Sequence, residues 1–177
     1  MDSFVGKSGL IYKTPKEGKE IVLRPFMGGD SNRVIDLMRE VYIEEMGWHI
    51  SFLKDSIRTL REMLITWDPK QDLFVLAEFE DGLVGLLYMI SQNDGRSLIR
   101  WLTVKKGYRG MGIGNRLIGM AVDFARKVGH RKIALVTVDE LKRAREVYIR
   151  AGFSETGQKT DLLWDMNLTL YFMEMKL

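Results

Sequence analysis

Three glycines fall within Arg109-Gly110-Met111-Gly112-Ile113-Gly114, between an apolar β-type run that stops at Val104 and an amphipathic stretch that begins near Gly112. A strand–turn–helix joint of this kind aims several backbone N–H groups at one point, beside the positive end of a helix dipole. That is a site for a pyrophosphate. The glycines let the backbone take unusual dihedrals and approach a ligand closely, while Arg109 and Arg116 add positive charge nearby. Glycines also pack helices tightly on strands, so the turn needs supporting context. A second cluster lies downstream, where Ala144, Tyr148, Gly152 and Phe153 share a helical stretch. Taken alone, Tyr148 reads as a buried helix tyrosine packed beside Ala144 and Gly152.

The periodicities on either side supply the elements that must hold these residues. Residues 21–24 read as a short first strand before Pro25, and Asp30 as the N-cap of a helix running to about Met46, which Gly47 ends. A second helix covers about 51–65, broken by Trp67-Asp68-Pro69. Runs at 72–79 and 83–91 form a hairpin through Glu80-Asp81-Gly82, and Asn93-Asp94-Gly95 turns the chain into a strand at 98–104. After the glycine turn, Ile113, Leu117, Ile118, Ala121, Phe124 and Val128 repeat at helical spacing as far as Gly129, the expected C-cap. The run 133–138 has no polar residue before Thr137 and reads as a strand buried on both faces. A helix over 140–151 ends at Gly152, and 153–164 with 168–176 form a last antiparallel pair.

The chain has 177 residues, 46% hydrophobic and 29% charged, enough for one well-cored α/β domain and unlike a disordered segment. The expected division is a polar leader over 1–20 and a single domain over 21–177. There are no cysteines, which excludes disulfides and thiolate chemistry, and His49 and His130 are too isolated for a metal site, so no metal is expected. No apolar stretch approaches the ~20 residues that cross a bilayer, and no signal-peptide pattern opens the chain, so a cytoplasmic enzyme without a membrane partner is the default. A net charge of +3 suits an anionic cofactor without singling out nucleic acid, and no nucleic-acid partner is expected.

The order strand, Arg-x-x-Gly-x-Gly, helix, strand, then Ala144, Tyr148, Gly152 and Phe153 resembles the GNAT (GCN5-related) N-acetyltransferases, over about residues 20–177. The resemblance implies an α+β fold, a three-layer α/β sandwich with a mixed central sheet and helices on both faces. Glu45-x-Gly47-Trp48, the strand Arg100-Trp101-Leu102-x-Val104 and Trp164 look like the subgroup found fused to winged-helix regulators of the multiple-antibiotic-resistance (MarR) type, here as a free-standing module. It also implies acetyl-coenzyme A as cosubstrate. Leu102, Thr103 and Val104 would offer backbone groups to the pantetheine arm, with the Val104 N–H as oxyanion donor. Arg109, Gly110, Met111, Gly112, Ile113, Gly114 and Asn115 would wrap the pyrophosphate. Tyr148 matches the general acid that protonates the leaving thiolate, a task suited to a phenol of pKa about 10.

Departures from the family pattern are plain. Leu141 stands where many relatives have a cofactor-contacting asparagine, and Arg100, Trp101, Leu102 and Val136 stand where others carry a catalytic glutamate. Glu44, Glu45, Asp139 and Glu140 are the carboxylates left as candidate bases, each otherwise a solvated helix-end charge. Trp48, Trp67, Trp101, Trp164 and Tyr42 suggest an acceptor pocket with aromatic walls for a flat or cationic amine, against a reading of at least two tryptophans as core. The expected activity is direct attack of a primary amine, on a small molecule, on the thioester in a ternary complex. A protein N-terminal or lysine acetyltransferase, or a coenzyme A sensor without turnover, are the alternatives. A dinucleotide-binding domain fits poorly, because Leu117 replaces the third glycine and hairpin strands precede the motif. Many members of the family dimerise, and the last hairpin is the surface offered for a homodimer.

Overall fold

The computed structural model describes residues 10–13, 20–80 and 82–177. In chain order these form β1 (Leu10–Lys13), β2 (Glu20–Pro25), α1 (Ser31–Met38) with a π-helical continuation (Arg39–Glu45), and α2 (Ile50–Thr66). Then come β3 (Leu73–Phe79), β4 (Gly82–Ser91), β5 (Arg96–Val104), α3 (Ile113–Lys127), β6 (Lys132–Val138), α4 (Lys142–Ala151), β7 (Ser154–Leu163) and β8 (Met166–Lys176). The strands make one eight-stranded sheet in the order β1-β2-β3-β4-β5-β6-β8-β7. Every neighbouring pair is antiparallel except β5 with β6. This is the expected mixed sheet with helices on both faces.

Two cores form because each strand sends alternate side chains to opposite faces. On one face α3 buries Ile113, Leu117, Ile118, Ala121 and Ala125, and α4 buries Tyr148, against strand residues such as Val75, Leu87, Ile99, Ile133 and Leu135. On the other, α1 and α2 bury Val34, Leu37, Leu60 and Met63 against Phe74, Leu76, Leu86 and Trp101. Gly85 is required for the first packing, since a Cβ there would stand 3.0 Å from the Thr103 carbonyl oxygen and 3.6 Å from Ile113. Helix α3 ends as its sequence predicts: Gly129 takes φ +83°, and the His130 amide reaches back 2.9 Å to the Ala125 carbonyl.

Several local expectations change. Asp30 precedes α1 but does not cap it; its carboxylate accepts from the Met27 amide at 2.9 Å and binds two guanidinium nitrogens of Arg24 at 2.7 Å each. Arg24 also binds Glu78, and Arg33 pairs with both acids, at 3.3 and 2.6 Å. Two arginines facing two largely buried carboxylates tie β2 and β3 to the start of α1. The helix read as continuous to Met46 widens to π geometry at Arg39. Strand β6 is buried on both faces only at its end: Val138 joins the α1–α2 core, whereas Val136, on the same face, is 49% exposed. Of the expected leader, residues 1–9 and 14–19 lie outside the described residues, while 10–13 pair with β2, Leu10 opposite Leu23. Ile11 and Tyr12 favour strands, a signal too short to stand out among the surrounding glycines.

Candidate active site

The parallel pair at the centre of the sheet comes apart. Arg96, Ser97, Leu98 and Ile99 pair with Lys132, Ile133, Ala134 and Leu135, and the pairing stops there. Beyond that point β5 keeps only β4, with Val104 opposite Gly85, and β6 keeps only β8, with Val138 opposite Leu170. The cause lies in β5. Tyr88 faces Trp101 but Met89 faces Ile99, so Arg100 is an extra residue in that strand. Such a bulge bends its strand and increases the local twist. It also changes the phase of the side chains: Ile99 belongs to the α3–α4 core, and Trp101, two residues on, to the α1–α2 core.

The backbone groups along the opened edge follow from one bond. The Lys105 amide donates to the Val84 carbonyl at 2.8 Å. Because antiparallel partners alternate in the side to which they direct both groups, Thr103 faces β4, whereas Leu102 and Val104 turn toward the split. Leu102 and Val104 therefore present their backbone groups to the opened edge. Thr103 does not join them as a backbone donor. Its side chain, 2% exposed, bonds the Tyr42 hydroxyl at 3.1 Å.

At the end of β5 the chain makes a short turn over Lys106–Tyr108 and enters the glycine segment. Gly110 and Gly112 take φ of +78° and +84°, which a side chain would strain. The first ladder bond of α3 runs from the Arg116 amide to the Gly112 carbonyl at 3.0 Å. The amides of Ile113, Gly114 and Asn115 thus head the helix with no acceptor inside it. They lie at its positive end, in a cradle whose geometry suits an anion. Met111 and Ile113 are 8% and 1% exposed, so their side chains anchor the turn in the core and only their backbone can face a ligand. At Gly114 a Cβ would meet Val147 of α4 no closer than 3.9 Å.

Arg109 has a different position from the one its motif suggests. Its Nε donates to the Val104 carbonyl at 2.8 Å, and its two terminal nitrogens hold both oxygens of Glu45 at 2.5 and 3.0 Å. The side chain braces the turn against the end of the first helix and is not directed at the cradle.

Tyr148 is 5% exposed, edge-on to Phe153 with ring centroids 5.7 Å apart. Burial raises its pKa well above that of a free phenol, and the Tyr42 phenol raises it further. Burial likewise raises Tyr42, with the Thr103 bond and the Arg109 charge acting the other way. The two tyrosines belong to cores on opposite faces of the sheet.

Three of the four candidate bases have partners of their own. Both oxygens of Glu45 are held by Arg109, Glu44 pairs with Arg39 at 2.6 Å, and Asp139 accepts from the Thr169 amide at 3.3 Å. Glu140 is exposed.

The aromatic residues divide into two groups. Tyr42, Trp48, Phe52 and Trp164 pack on one another with centroids 4.5 to 5.6 Å apart. Trp67, Phe74, Tyr88 and Trp101 form a second group beneath α2. Trp48 and Trp101, 4% and 9% exposed, are core. The rings fill each other's space, so they form no open-walled pocket. Trp164 comes from the β7–β8 turn, where it and Asp165 take φ of +52° and +58°. Asp165 accepts from the Ser51 hydroxyl and lies 3.1 Å from His49, fastening the hairpin tip to the start of α2. Sequence reasoning missed this fastening, the Arg109–Glu45 brace and Thr137, whose buried hydroxyl has no hydrogen-bond partner. Among the described residues no group of three or more His, Cys, Asp or Glu could hold a metal.

A family model described as the acetyltransferase (GNAT) family matches residues 35–153. The probable N-acetyltransferase camello of Xenopus tropicalis is 29% identical over 118 residues, 66% of this chain and 53% of that protein. The human N-acetyltransferase 8B is 30% identical over 96 residues, 51% of this chain and 42% of the relative. The chain spans about half the length of the curated relatives it matches. Among solved structures, a GNAT-family acetyltransferase from Staphylococcus aureus superposes with a TM-score of 0.76 at 21% identity, covering 89% of this chain and 99% of that one. A Bacillus anthracis protein assigned as a streptothricin acetyltransferase, solved with acetyl coenzyme A, gives 0.56 at 22% identity over 63% and 65% of the two chains. These structural likenesses speak for the fold.

Proposed function

From its membership of the GNAT acetyltransferase family, we propose that this chain moves an acetyl group from acetyl-coenzyme A to a primary amine on a small molecule, by direct attack in a ternary complex. The observation that carries this reading is the split between β5 and β6, which opens beside the head of α3 and has Tyr148 in the adjoining layer. The residues fit the cosubstrate. The α3 cradle suits its pyrophosphate, and the Leu102 and Val104 backbone groups suit an extended arm that carries amides. The unpaired Thr137 hydroxyl is a further polar group beside the same gap.

Acetyl-coenzyme A supplies an activated thioester, whose carbonyl gains negative charge under attack and whose sulfur leaves as a thiolate. The Val104 N–H, fixed in direction by the β4 pairing, is the donor for that oxygen. Its own carbonyl is held by Arg109, so the peptide groups at this strand end are braced on two sides. Tyr148 holds a proton that burial makes hard to lose in water, and gives it to the leaving sulfur. With no cysteine in the chain, an acyl-cysteine intermediate has no carrier. The amine arrives neutral or loses its proton to water, since Glu44 and Glu45 are held by arginines.

A small acceptor is favoured because the hairpin tip, fastened through Trp164 and Asp165, narrows the side of the sheet reached by α1 and α2. The kinship with acetyltransferase modules fused to MarR-type regulators, a cytoplasmic location and a homodimer through the last hairpin belong to the same proposal. With Glu44 and Glu45 held by arginines, a second reading stays in play, a coenzyme A sensor without turnover. Calorimetric titration with acetyl-coenzyme A, with NADH as control, tests the common premise. Binding of the first alone supports both readings, and release of coenzyme A thiol with a panel of simple amines then separates them. No binding would sink the proposal.

A further inference from the structure

Thr137 lies two residues beyond Leu135, the last residue of β6 that pairs with β5. There β6 keeps β8 on one edge, Thr137 opposite Tyr171, and has left β5 on the other. Alternation along the strand puts Thr137 on the face of Ile133 and Leu135, the layer that also holds Tyr148. The residue is 4% exposed and its hydroxyl has no hydrogen-bond partner. Buried hydroxyls are bonded as a rule, and each exception calls for a physical reason. Packing is not that reason, because valine would fill the same volume without an unpaired group. Among the described residues, the other buried side-chain polar atom lacking a partner, Trp48 Nε1, sits in the opposite core among stacked rings and does not share this gap.

We infer that Thr137 binds the pantetheine arm of acetyl-coenzyme A, its hydroxyl exchanging a hydrogen bond with one of the arm's amides; this rests on reading the split as the acetyl-coenzyme A site. The assignment follows from what each wall of the split offers. The β5 wall presents backbone groups at Leu102 and Val104. The β6 wall has its ladder to β8, and Thr137 adds a side-chain hydroxyl. That hydroxyl can donate or accept, and an amide presents both a carbonyl and an N–H, so the pairing is satisfiable in either sense. An apolar ligand in the same gap would leave the hydroxyl as unpaired as it is now.

The test is calorimetric titration of the full chain and its Thr137→Val and Thr137→Ser variants with acetyl-coenzyme A. A parallel titration uses ADP, which carries a pyrophosphate but no pantetheine arm. Thr137→Val is expected to weaken acetyl-coenzyme A about five- to tenfold and leave ADP unchanged, while Thr137→Ser stays within about twofold of the parent. Without ligand, Thr137→Val is expected to melt at the parent temperature or up to about 2–4 °C above it, because no buried hydroxyl is left unpaired. Should that variant fail to fold, Thr137→Ala provides the same comparison between ligands. Unchanged affinity for acetyl-coenzyme A overturns the inference. Equal losses for both ligands also overturn it, since the residue would then act through the fold. A parent chain that binds neither ligand overturns the acetyl-transfer reading, and this inference with it.

Discussion

Arg109, at the start of the glycine turn, holds both carboxylate oxygens of Glu45 across 64 residues of chain, and with its third nitrogen holds the carbonyl of Val104. One side chain thereby joins the end of the first helix, the end of β5 and the anion cradle. Beside it, the Tyr42–Thr103 bond makes a second link between the same helix and the same strand. Tyr42 and Glu45 both lie in the π-helical stretch Arg39–Glu45, and such insertions are frequent at functional sites.

Replacing Glu45 with Ala leaves the guanidinium without its paired acceptor in a partly buried place. The expected loss is roughly 1–3 kcal/mol of stability, read by urea unfolding, together with weaker acetyl-coenzyme A binding as the turn loosens. Glu45→Asp keeps the charge but shortens the reach, and should fall between the two. Parent-like stability and affinity in Glu45→Ala would show the brace to be incidental.

Gly112→Val places a β-branched side chain at φ +84°, at the mouth of the cradle. The helix core it precedes is built from Ile113, Leu117 and Ile118, which the substitution does not touch. The expected outcome is a folded protein, by circular dichroism, whose affinity for acetyl-coenzyme A falls by about a hundredfold or more, as strain of roughly 1–3 kcal/mol adds to lost access. Retained affinity would remove the turn from the binding site.

The ion network of β2 and β3 predicts a pH dependence. Hydrogen bonds from Arg24 lower the pKa values of both Asp30 and Glu78 below those of free carboxylates, with Arg33 assisting. A carboxyl with a depressed pKa in the folded state contributes stability that is present above its unfolded value, about 4. That contribution is lost as pH falls through the lower folded value. Arg24→Met should therefore cost about 3–5 kcal/mol near neutral pH, where two largely buried carboxylates lose the main one of their two arginines. In urea unfolding at progressively lower pH, the gap to the parent should shrink as the acids protonate in both chains. A gap independent of pH would assign the loss to packing.

Much of this architecture is legible in the chain because it depends on short-range signals. Gly129 and Gly152 mark helix ends by positive φ, the spacing of Leu117, Ile118 and Ala121 fixes the buried face of α3, and the glycine turn lies where its spacing puts it. The features that escape are those made by pairing across distance. Nothing near Arg100 announces a bulge, since the extra residue is defined only against Tyr88 and Met89 on β4. Arg109 reads as a phosphate ligand until Glu45 is brought beside it. The tryptophans read as one pocket, yet they fall into two ring groups within the α1–α2 core: Trp67 and Trp101 lie in one, and Trp48 lies in the other with Trp164, carried there by the β7–β8 turn. Thr137 is unremarkable in sequence, and only its burial without a partner singles it out.

The most direct test of the central claim is coenzyme A thiol release from acetyl-coenzyme A, with a panel of primary amines, by the parent chain and by Tyr148→Phe. The raised pKa of Tyr148 keeps its proton in place up to and beyond the ordinary phenol value of about 10, so its acid form is complete throughout the neutral range. The account predicts amine-dependent release by the parent. It predicts a fall of about 10²–10⁴-fold in kcat for the variant, the range of general acid catalysis, with unchanged affinity for acetyl-coenzyme A. Turnover by Tyr148→Phe equal to the parent's would remove the acid role. Tight acetyl-coenzyme A binding with no release for any amine would contradict the acetyltransferase reading and leave the sensor.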